Sequence, residues 1–325
     1  MRALQLERLE GPEGLRLVEQ PEPEVGDQVL IDVVAAGVSF PDLLLSRGQY
    51  QMKPDLPFVP GVEVAGVVRF APEGAKVKVG ERVMAFTMLG GWAEVVAAAP
   101  ALTFPIPEGW SFEAAAGTVM NYHTAHFALH RRGRLEPGET VLVHGAAGGV
   151  GTASLQIARG AGARVLAVVS TEAKAEVARS AGADRAFVST QGDWVAQVKE
   201  ATGGRGVDVV VDPVGGDMFD LSLKCLAPEG RLLVVGFAGG RIPEVKVNRL
   251  LLKNVDVVGV AWGGFLIQEP AISQDIAREL AALADKGFVE PVVGQVLPFE
   301  QAAQGLRDLE ARKATGKVVL RLRDA

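Results

Sequence analysis

Residues 143–151 read VHGAAGGVG, a glycine-rich turn between an apolar run and a stretch with helical character. The helix after the turn would direct its free N–H groups and the positive end of its dipole toward a phosphate. Gly148 would let the backbone approach the phosphates, and Gly151 would let the helix pack closely on the strand. No Gly-Lys-Ser/Thr follows, which excludes a P-loop. We therefore predict a dinucleotide-binding βα turn, with Ala146 at the position where a tight-turn glycine is usual.

Apolar runs alternate with helical stretches on both sides of this turn, from about residue 115 to residue 260. The strands predicted there are 141–144, 163–169, 185–188, 207–212, 231–236 and 256–261. They lack polar–apolar alternation, which is typical of strands buried on both faces of a parallel sheet. The expected fold class is α/β, with a doubly wound, parallel, six-stranded sheet.

The flanking regions have a different texture. Short β-rich runs separated by Gly and Pro turns predict a partly antiparallel β-domain in the first part of the chain. The runs are 29–35, 62–70, 82–86 and 93–97. The last 60 or so residues predict helices near 272–286 and 299–311 and a final strand at 317–322.

Composition narrows the functional classes. A chain of 325 residues is expected to form two domains, and its 48% hydrophobic content is ordinary for a globular protein. A net charge of −6 without a Lys/Arg run argues against nucleic acid or an anionic membrane as a partner. The single cysteine, Cys225, excludes a disulfide framework within the chain and argues against a Cys-based zinc site. No secretory signal or apolar run of about 18 residues is visible, so the expected location is cytoplasmic.

The strand after the glycine turn indicates which nucleotide binds. NAD is usually held by a carboxylate at the end of this strand, but here the sequence continues VVSTEAK (168–174). The hydroxyl of Ser170 and the ammonium of Lys174 suit a 2′-phosphate, whereas Glu172 suits the start of the next helix. We therefore expect NADPH. The alternative is that Ser170 caps the helix and Lys174 is a solvated surface lysine.

Six segments resemble the zinc-free quinone oxidoreductase (zeta-crystallin-like) branch of the medium-chain dehydrogenase/reductase superfamily. They are AAGVSFPDLLLSRGQY (35–50), PFVPGVEVAGVV (57–68), NYHTAHFAL (121–129), HGAAGGVG (144–151), VVDPVGG (210–216) and NRLLLKNVDVVGVAWG (248–263). The resemblance implies a GroES-like catalytic domain (1–115 and 262–325) and a Rossmann NADPH-binding domain (116–261). It also implies a homodimer that reduces quinones or related conjugated carbonyls in the cleft between the two domains.

The resemblance also implies that no metal is bound. Zinc-dependent relatives carry a catalytic cysteine and a His-Glu pair. In this chain Ser39 stands in the region of the cysteine, and Val62 precedes Glu63 where the histidine would be.

Histidines offer a competing metal hypothesis. His123, His126 and His130 would share one helix face, and three imidazoles can bind Zn²⁺. No Cys or carboxylate joins them locally, so we favour a packing role for this helix.

The cofactor contacts that the motifs imply come from several segments. They are Thr124, Ala147, Gly148, Gly149, Val150, Gly151, Ser170, Lys174, Val214, Gly236, Phe237, Ala238 and Arg312. For Phe237 the alternative is core packing, and for Arg312 it is a solvated helix end.

On the substrate side, the resemblance places Ser39 in the nicotinamide and substrate region, where the family usually has Asn. Tyr50, in RGQY, is the candidate for substrate contact, against the alternative of a half-buried surface tyrosine. No residue stands out as an obligatory proton donor. Two rival functions remain: reduction of enones or enoyl thioesters on the same scaffold, and NADPH binding without catalysis.

Overall fold

The predicted alternation of strands and helices forms a six-stranded parallel sheet in the computed structural model, which describes residues 1–324. The chain divides into two compact units. Unit 1 contains residues 1–120 and 270–277 and the segment from Pro291 onward, and unit 2 contains residues 121–269 and 278–290.

Unit 1 begins with seven strands and two short helices. They are β1 (Arg2–Leu6), β2 (Leu15–Glu19), β3 (Val29–Val38), α1 (Phe40–Ser46), β4 (Glu63–Phe70), β5 (Arg82–Phe86), β6 (Val95–Ala98), β7 (Thr103–Pro105) and α2 (Phe112–Ala116). Strands β1 and β2 form an antiparallel pair. The predicted β-rich, partly antiparallel character is confirmed.

Unit 2 carries the following elements in chain order. They are α3 (Val119–His126), continued as a π-helix over Phe127–Arg132, then β8 (Thr140–His144), α4 (Gly149–Gly160), β9 (Arg164–Val169), α5 (Glu172–Ser180), β10 (Arg185–Val188), α6 (Trp194–Ala201), β11 (Val207–Asp212), α7 (Asp217–Cys225), β12 (Leu226–Val234), α8 (Asn248–Leu251), β13 (Asp256–Gly259), α9 (Trp262–Phe265) and α10 (Ile272–Asp285). Helix α3 begins in unit 1 and α10 contributes to both units. The chain ends with β14 (Val293–Pro298), α11 (Ala302–Glu310) and β15 (Lys317–Arg321).

The sheet of unit 2 has the order β10-β9-β8-β11-β12-β13, and all its strands are parallel. Its central strands are wholly buried because valine and leucine occupy both faces. Chain order reverses between β8 and β11, and open α/β sheets bind ligands at the carboxyl ends of the strands beside such a reversal. The predicted doubly wound, six-stranded sheet is confirmed, and the glycine turn lies at this reversal.

The seven-stranded sheet of unit 1 has the order β14-β15-β3-β4-β5-β7, with β6 also paired to β3. Strand β3 is antiparallel to both β4 and β15, with Ala36 opposite Val64 and Val38 opposite Val318. The carboxyl end of β3 therefore lies beside the first residues of β4 and β15. This register brings together three side chains far apart in sequence: Ser39, Glu63 and Lys317.

Helix α1 was not anticipated from the sequence, although it carries a start signal. Ser39 is its N-cap residue, and a capping box links Ser39 with Asp42 three residues later. Strands β1, β2, β7 and β14 were not anticipated either. Among the predicted strands the boundaries differ: β12 begins at Leu226, before the predicted 231, and β13 ends at Gly259, before the predicted 261. None of the helices within residues 1–324 is both long and apolar enough to cross a membrane.

Candidate functional site

The glycine turn of unit 2 owes its shape to Gly145, which has a φ of +56°. This left-handed conformation strains residues other than glycine, so Gly145 makes the tight turn and the buried Ala146 does not need to. A Cβ at Gly151 would lie 2.3 Å from the carbonyl oxygen of Gly145, so helix α4 packs directly on the turn. The expected role of Gly151 fits this geometry, whereas the tight-turn position belongs one residue before Ala146.

The amino end of helix α4 faces this turn without a side-chain cap. Its N-cap residue is Gly148, which has no side chain to accept from the first N–H groups. A Cβ at Gly149 would lie 2.3 Å from Nδ2 of Asn121, so this glycine is required by a neighbouring amide. The N–H groups of the first turn, at Gly149, Val150 and Gly151, can therefore bind an anion such as pyrophosphate.

Two further strand ends converge on the same turn. A Cβ at Gly145 would lie 3.3 Å from the Val214 side chain. The Asp212 carboxylate accepts from the backbone N–H of Val214 at 2.9 Å and fixes the turn after β11. The N–H of Ala238 donates to the carbonyl oxygen of Pro213 at 3.0 Å, which ties the turn after β12 to the turn after β11. The predicted cofactor residues Val214 and 236–238 therefore lie beside the glycine turn, and Phe237 among them is half-buried.

At the end of β9 the structure separates the roles of two hydroxyls. Thr171, and not Ser170, caps α5: its Oγ1 accepts from the N–H of Lys174 at 3.3 Å. Ser170 is exposed, and its carbonyl oxygen accepts from Thr190 at 3.1 Å. The carboxylate of Glu172 is bound by Arg179 at 2.6 Å, which offsets its negative charge. Arg179 is also bound to Glu176 at 2.9 Å, so one guanidinium serves two carboxylates. A hydroxyl and an ammonium fit a 2′-phosphate better than a ribose hydroxyl.

His144 closes the base of the glycine turn as a neutral side chain. Its Nε2 lies 2.6 Å from Oγ of Ser222, which itself donates to the carbonyl oxygen of Met218. Because the Ser222 proton is engaged, Nε2 carries the histidine proton and donates. Burial lowers the pKa of His144, so it stays uncharged.

The histidines of α3 do not form a metal site. His126 Nε2 contacts the Glu279 carboxylate at 2.8 Å, and the His123 ring packs on Trp262 at 5.2 Å. Burial, together with His130 and His123, lowers the pKa of His126 to about 3, so His126 is neutral. Within the described residues, no group of three or more His, Cys, Asp and Glu side chains is placed to hold a metal ion. The contacts of His123 and His126 are those of packing side chains. Thr124 is buried on the same helix.

In unit 1, Ser39, Glu63 and Lys317 form a buried hydrogen-bonded triad. Lys317 Nζ donates to Oγ of Ser39 at 2.6 Å and also to Oε1 of Glu63. Ser39 Oγ donates to Oε1 of Glu63 at 3.0 Å. The other carboxylate oxygen accepts from the N–H of Met120 at 2.8 Å. The exposed fraction is 4% for Ser39, 0% for Glu63 and 4% for Lys317. The Glu63–Lys317 charge pair is therefore almost wholly removed from water.

This arrangement does not fit a zinc ion. Zinc needs several free donor atoms, usually four ligands in all, and a sulfur or imidazole is typical among them. Ser39 and Val62 supply neither a sulfur nor an imidazole, and the oxygens of Ser39 and Glu63 that face each other already hold the Lys317 ammonium. The cation between Ser39 and Glu63 is therefore the Lys317 ammonium of the chain itself.

Two other groups lie near the triad. Asp42 accepts from the N–H groups of Ser39 and Gly61 at 2.8 and 3.0 Å. Burial raises the pKa of Asp42 to about 7. Tyr50 is half-buried against the core of unit 1, and burial, together with Asp42, raises its pKa. Tyr50 therefore remains a phenol that can donate a hydrogen bond.

The sequence did not single out Lys317 or Asp42. A signal existed for Asp42, in the Ser-x-x-Asp spacing of the capping box, whereas Lys317 is an ordinary residue at the start of a strand. Arg312 lies exposed just after α11 with a φ of +55°.

Two families of known proteins match the chain in succession. The alcohol dehydrogenase GroES-like domain family matches residues 26–108, and the zinc-binding dehydrogenase family matches residues 149–284. Quinone oxidoreductase-like protein 2 of Rattus norvegicus is 39% identical over 305 residues, which is 93% of this chain and 87% of the rat protein.

Solved structures agree with this relationship. A probable oxidoreductase from Mycobacterium abscessus is 48% identical, with a TM-score of 0.90 and 99% of both chains covered. The quinone oxidoreductase of Escherichia coli, solved in complex with NADPH, is 30% identical, with a TM-score of 0.90 over 99% of this chain and 100% of that one.

Proposed function

Because the chain belongs to the quinone oxidoreductase-like branch of the medium-chain dehydrogenase/reductase superfamily, we propose that it transfers hydride from NADPH to quinones or related conjugated carbonyls, without zinc. The proposed binding of NADPH rests on the uncapped amino end of α4, which lies at the chain reversal between β8 and β11. The names of the relatives support the proposal that quinones are the substrates.

The residues of unit 2 hold the cofactor in this proposal. The N–H groups of Ala147, Gly149, Val150 and Gly151 bind the pyrophosphate, and Ser170 and Lys174 bind the 2′-phosphate. The expected contribution of the Gly148 N–H is not met, because this group donates to the carbonyl oxygen of Gly145 at 2.9 Å. Thr124, Val214 and residues 236–238 surround the nicotinamide, and Arg312 adds a further cofactor contact. Bound NADPH supplies the hydride, and the protein supplies position and electrostatics.

On the substrate side we assign Ser39 and Tyr50 of unit 1. Tyr50 carries a phenol that can donate a proton, and this supports a second candidate function, the reduction of enones. That reaction must deliver a proton to the carbon beside the carbonyl, which requires a placed donor. If enones are the substrates, Tyr50→Phe abolishes enone turnover and leaves quinone turnover in place.

The proposal is tested by NADPH and NADH consumption against quinones, enones and enoyl thioesters. We expect NADPH-dependent turnover of at least one quinone by the protein in the presence of a metal chelator. NADPH binding without oxidation of any substrate would instead support a non-catalytic role. Turnover that disappears with the chelator and returns with zinc would contradict the zinc-free assignment.

A homodimer is also part of the proposal, supported by one edge of unit 2. Strand β13 is the last strand of the sheet, and Val257 on it is exposed. Leu251 and Leu252 nearby are 74% and 79% exposed, which is unusual for leucine. Light scattering after gel filtration should give twice the chain mass for the parent and a single chain mass for Leu252→Asp. A monomeric parent would contradict the dimer.

A further inference from the structure

Burial of the Ser39–Glu63–Lys317 triad costs the folded state free energy. Removing an ammonium and a carboxylate from water costs several kcal/mol per ion, and apolar residues of similar volume often stabilise a protein more. The three side chains come from separate segments, and Glu63 and Lys317 are 254 positions apart. Such a charge pair, placed where zinc-dependent relatives hold their metal, suggests a role beyond stability.

The Ser39 proton is donated to Glu63 Oε1 in the structure, at 3.0 Å, and rotation of the hydroxyl would release it. Glu63 receives three donors, namely Lys317 and Ser39 on Oε1 and the Met120 N–H on Oε2. If the Ser39 hydroxyl turns away, the carboxylate keeps two of its donors. Ser39 Oγ keeps its bond from Lys317, at 2.6 Å, while its own proton points elsewhere. The lysine charge then strengthens the serine as a donor.

We propose that the Ser39 hydroxyl receives the carbonyl oxygen of the substrate and that the Lys317 ammonium, bound to Ser39, strengthens this hydroxyl as a donor, in place of the metal ion of zinc-dependent relatives. This inference rests on the proposed function. The two electrons of the hydride enter the conjugated carbonyl system and leave one oxygen as an anion. The proton of Ser39 passes to that oxygen, Lys317 replaces it with one of its own, and the lysine amine recovers a proton from water.

In this scheme Ser39 touches the substrate, whereas Lys317 acts through Ser39 and is a positioning and proton-supplying residue. Glu63 accepts a hydrogen bond from Lys317 and holds the lysine in place. Hydrogen-bond donors directed at a developing oxyanion typically contribute about 100- to 1,000-fold to kcat. Removal of the lysine charge should therefore lower kcat far more than it changes the KM for NADPH.

The decisive variant is Lys317→Met combined with Glu63→Gln, because it removes both charges and leaves no unpaired ion in the core. We expect its kcat for quinone reduction to fall about 100- to 1,000-fold, with an unchanged Kd for NADPH. Lys317→Arg, which keeps a cation, should retain more activity than the double variant. Lys313→Met removes an exposed lysine four residues away and serves as the matched control with parental kcat. A folded double variant with parental kcat overturns the inference.

A binding measurement separates this inference from the proposed function. A nitrophenol ionises to a coloured phenolate, which resembles the anionic product. The parent protein with NADP⁺ should lower the pKa of the bound nitrophenol, and the double variant should not. If the parent lowers that pKa but turns over no carbonyl substrate, the proposed function fails and the oxyanion site stands. If the parent and the double variant bind nitrophenol with the same pKa, the oxyanion site is refuted whatever the turnover.

Discussion

Replacement of Lys174 by alanine should convert a preference for NADPH into near equality with NADH. The change leaves α5 intact, because Thr171 caps the helix through the backbone N–H of Lys174, which alanine retains. The loss is one charge-assisted hydrogen bond to the 2′-phosphate, about 1.5–3 kcal/mol. Each 1.4 kcal/mol is about tenfold in affinity, so Kd for NADPH should rise about 10- to 100-fold. Lys174 is only partly buried, so screening at physiological salt should place the effect nearer the lower end.

The assay is the fluorescence titration of parent and variant with NADPH and with NADH at two ionic strengths. Kd for NADH should hardly change, and the loss for NADPH should be larger at low salt. Lys224→Ala is the matched control, because it removes an exposed lysine from the last turn of α7. Equal weakening of both nucleotides, or no weakening of either, would refute the assignment of Lys174 to the 2′-phosphate.

Three further outcomes follow from the geometry. Lys317→Met should destabilise the protein by about 3–5 kcal/mol, because it leaves the Glu63 carboxylate buried without a cation. Addition of Glu63→Gln should recover most of that loss, as measured by chemical denaturation. A double variant no more stable than the single variant would contradict this. Burial raises the folded-state pKa of Asp42 to about 7, above its unfolded value of about 3.9, so its contribution to the unfolding free energy is complete at acid pH and is lost as pH rises through 7. Asp42→Asn should flatten that decline in urea titrations between about pH 4 and 7, and an unchanged slope would count against a raised pKa. Gly151→Ala should cost about 1–3 kcal/mol because its Cβ meets a carbonyl oxygen at 2.3 Å, whereas Gly263→Ala, with nothing within 4 Å, should leave the melting temperature near that of the parent.

Much of unit 2 could be predicted from the sequence because its signals are local. A strand buried on both faces is largely apolar, so β8 and β11 were recognisable from their own runs of valine and leucine. The helix after the glycine turn was recognisable in the same way. The turn itself was displaced by one residue, because a left-handed φ at Gly145 depends on backbone torsion angles that a glycine pattern indicates only in part.

The triad of unit 1 could not be predicted, for a physical reason. Lys317 begins a strand whose sequence, KVVLRL, fits either a surface or a buried lysine. Its burial depends on β15 pairing with β3, which joins residues about 280 positions apart and has no local signal. Glu63 was noted only because it stands where zinc-dependent relatives have a ligand, and Ser39 was noted for that reason and as the residue that stands where the family usually has Asn. The cation that faces them became visible only when the register of the sheet was known.

The central claim, direct hydride transfer from NADPH to a quinone, is tested most directly by single-turnover kinetics with NADPH deuterated at C4 in each of its two configurations. We predict that the quinone drives NADPH oxidation in chelator-treated protein and that one of the two deuterated forms reacts more slowly than unlabelled NADPH. Failure of every quinone to drive NADPH oxidation, or equal rates for both deuterated forms and unlabelled NADPH, would contradict the claim.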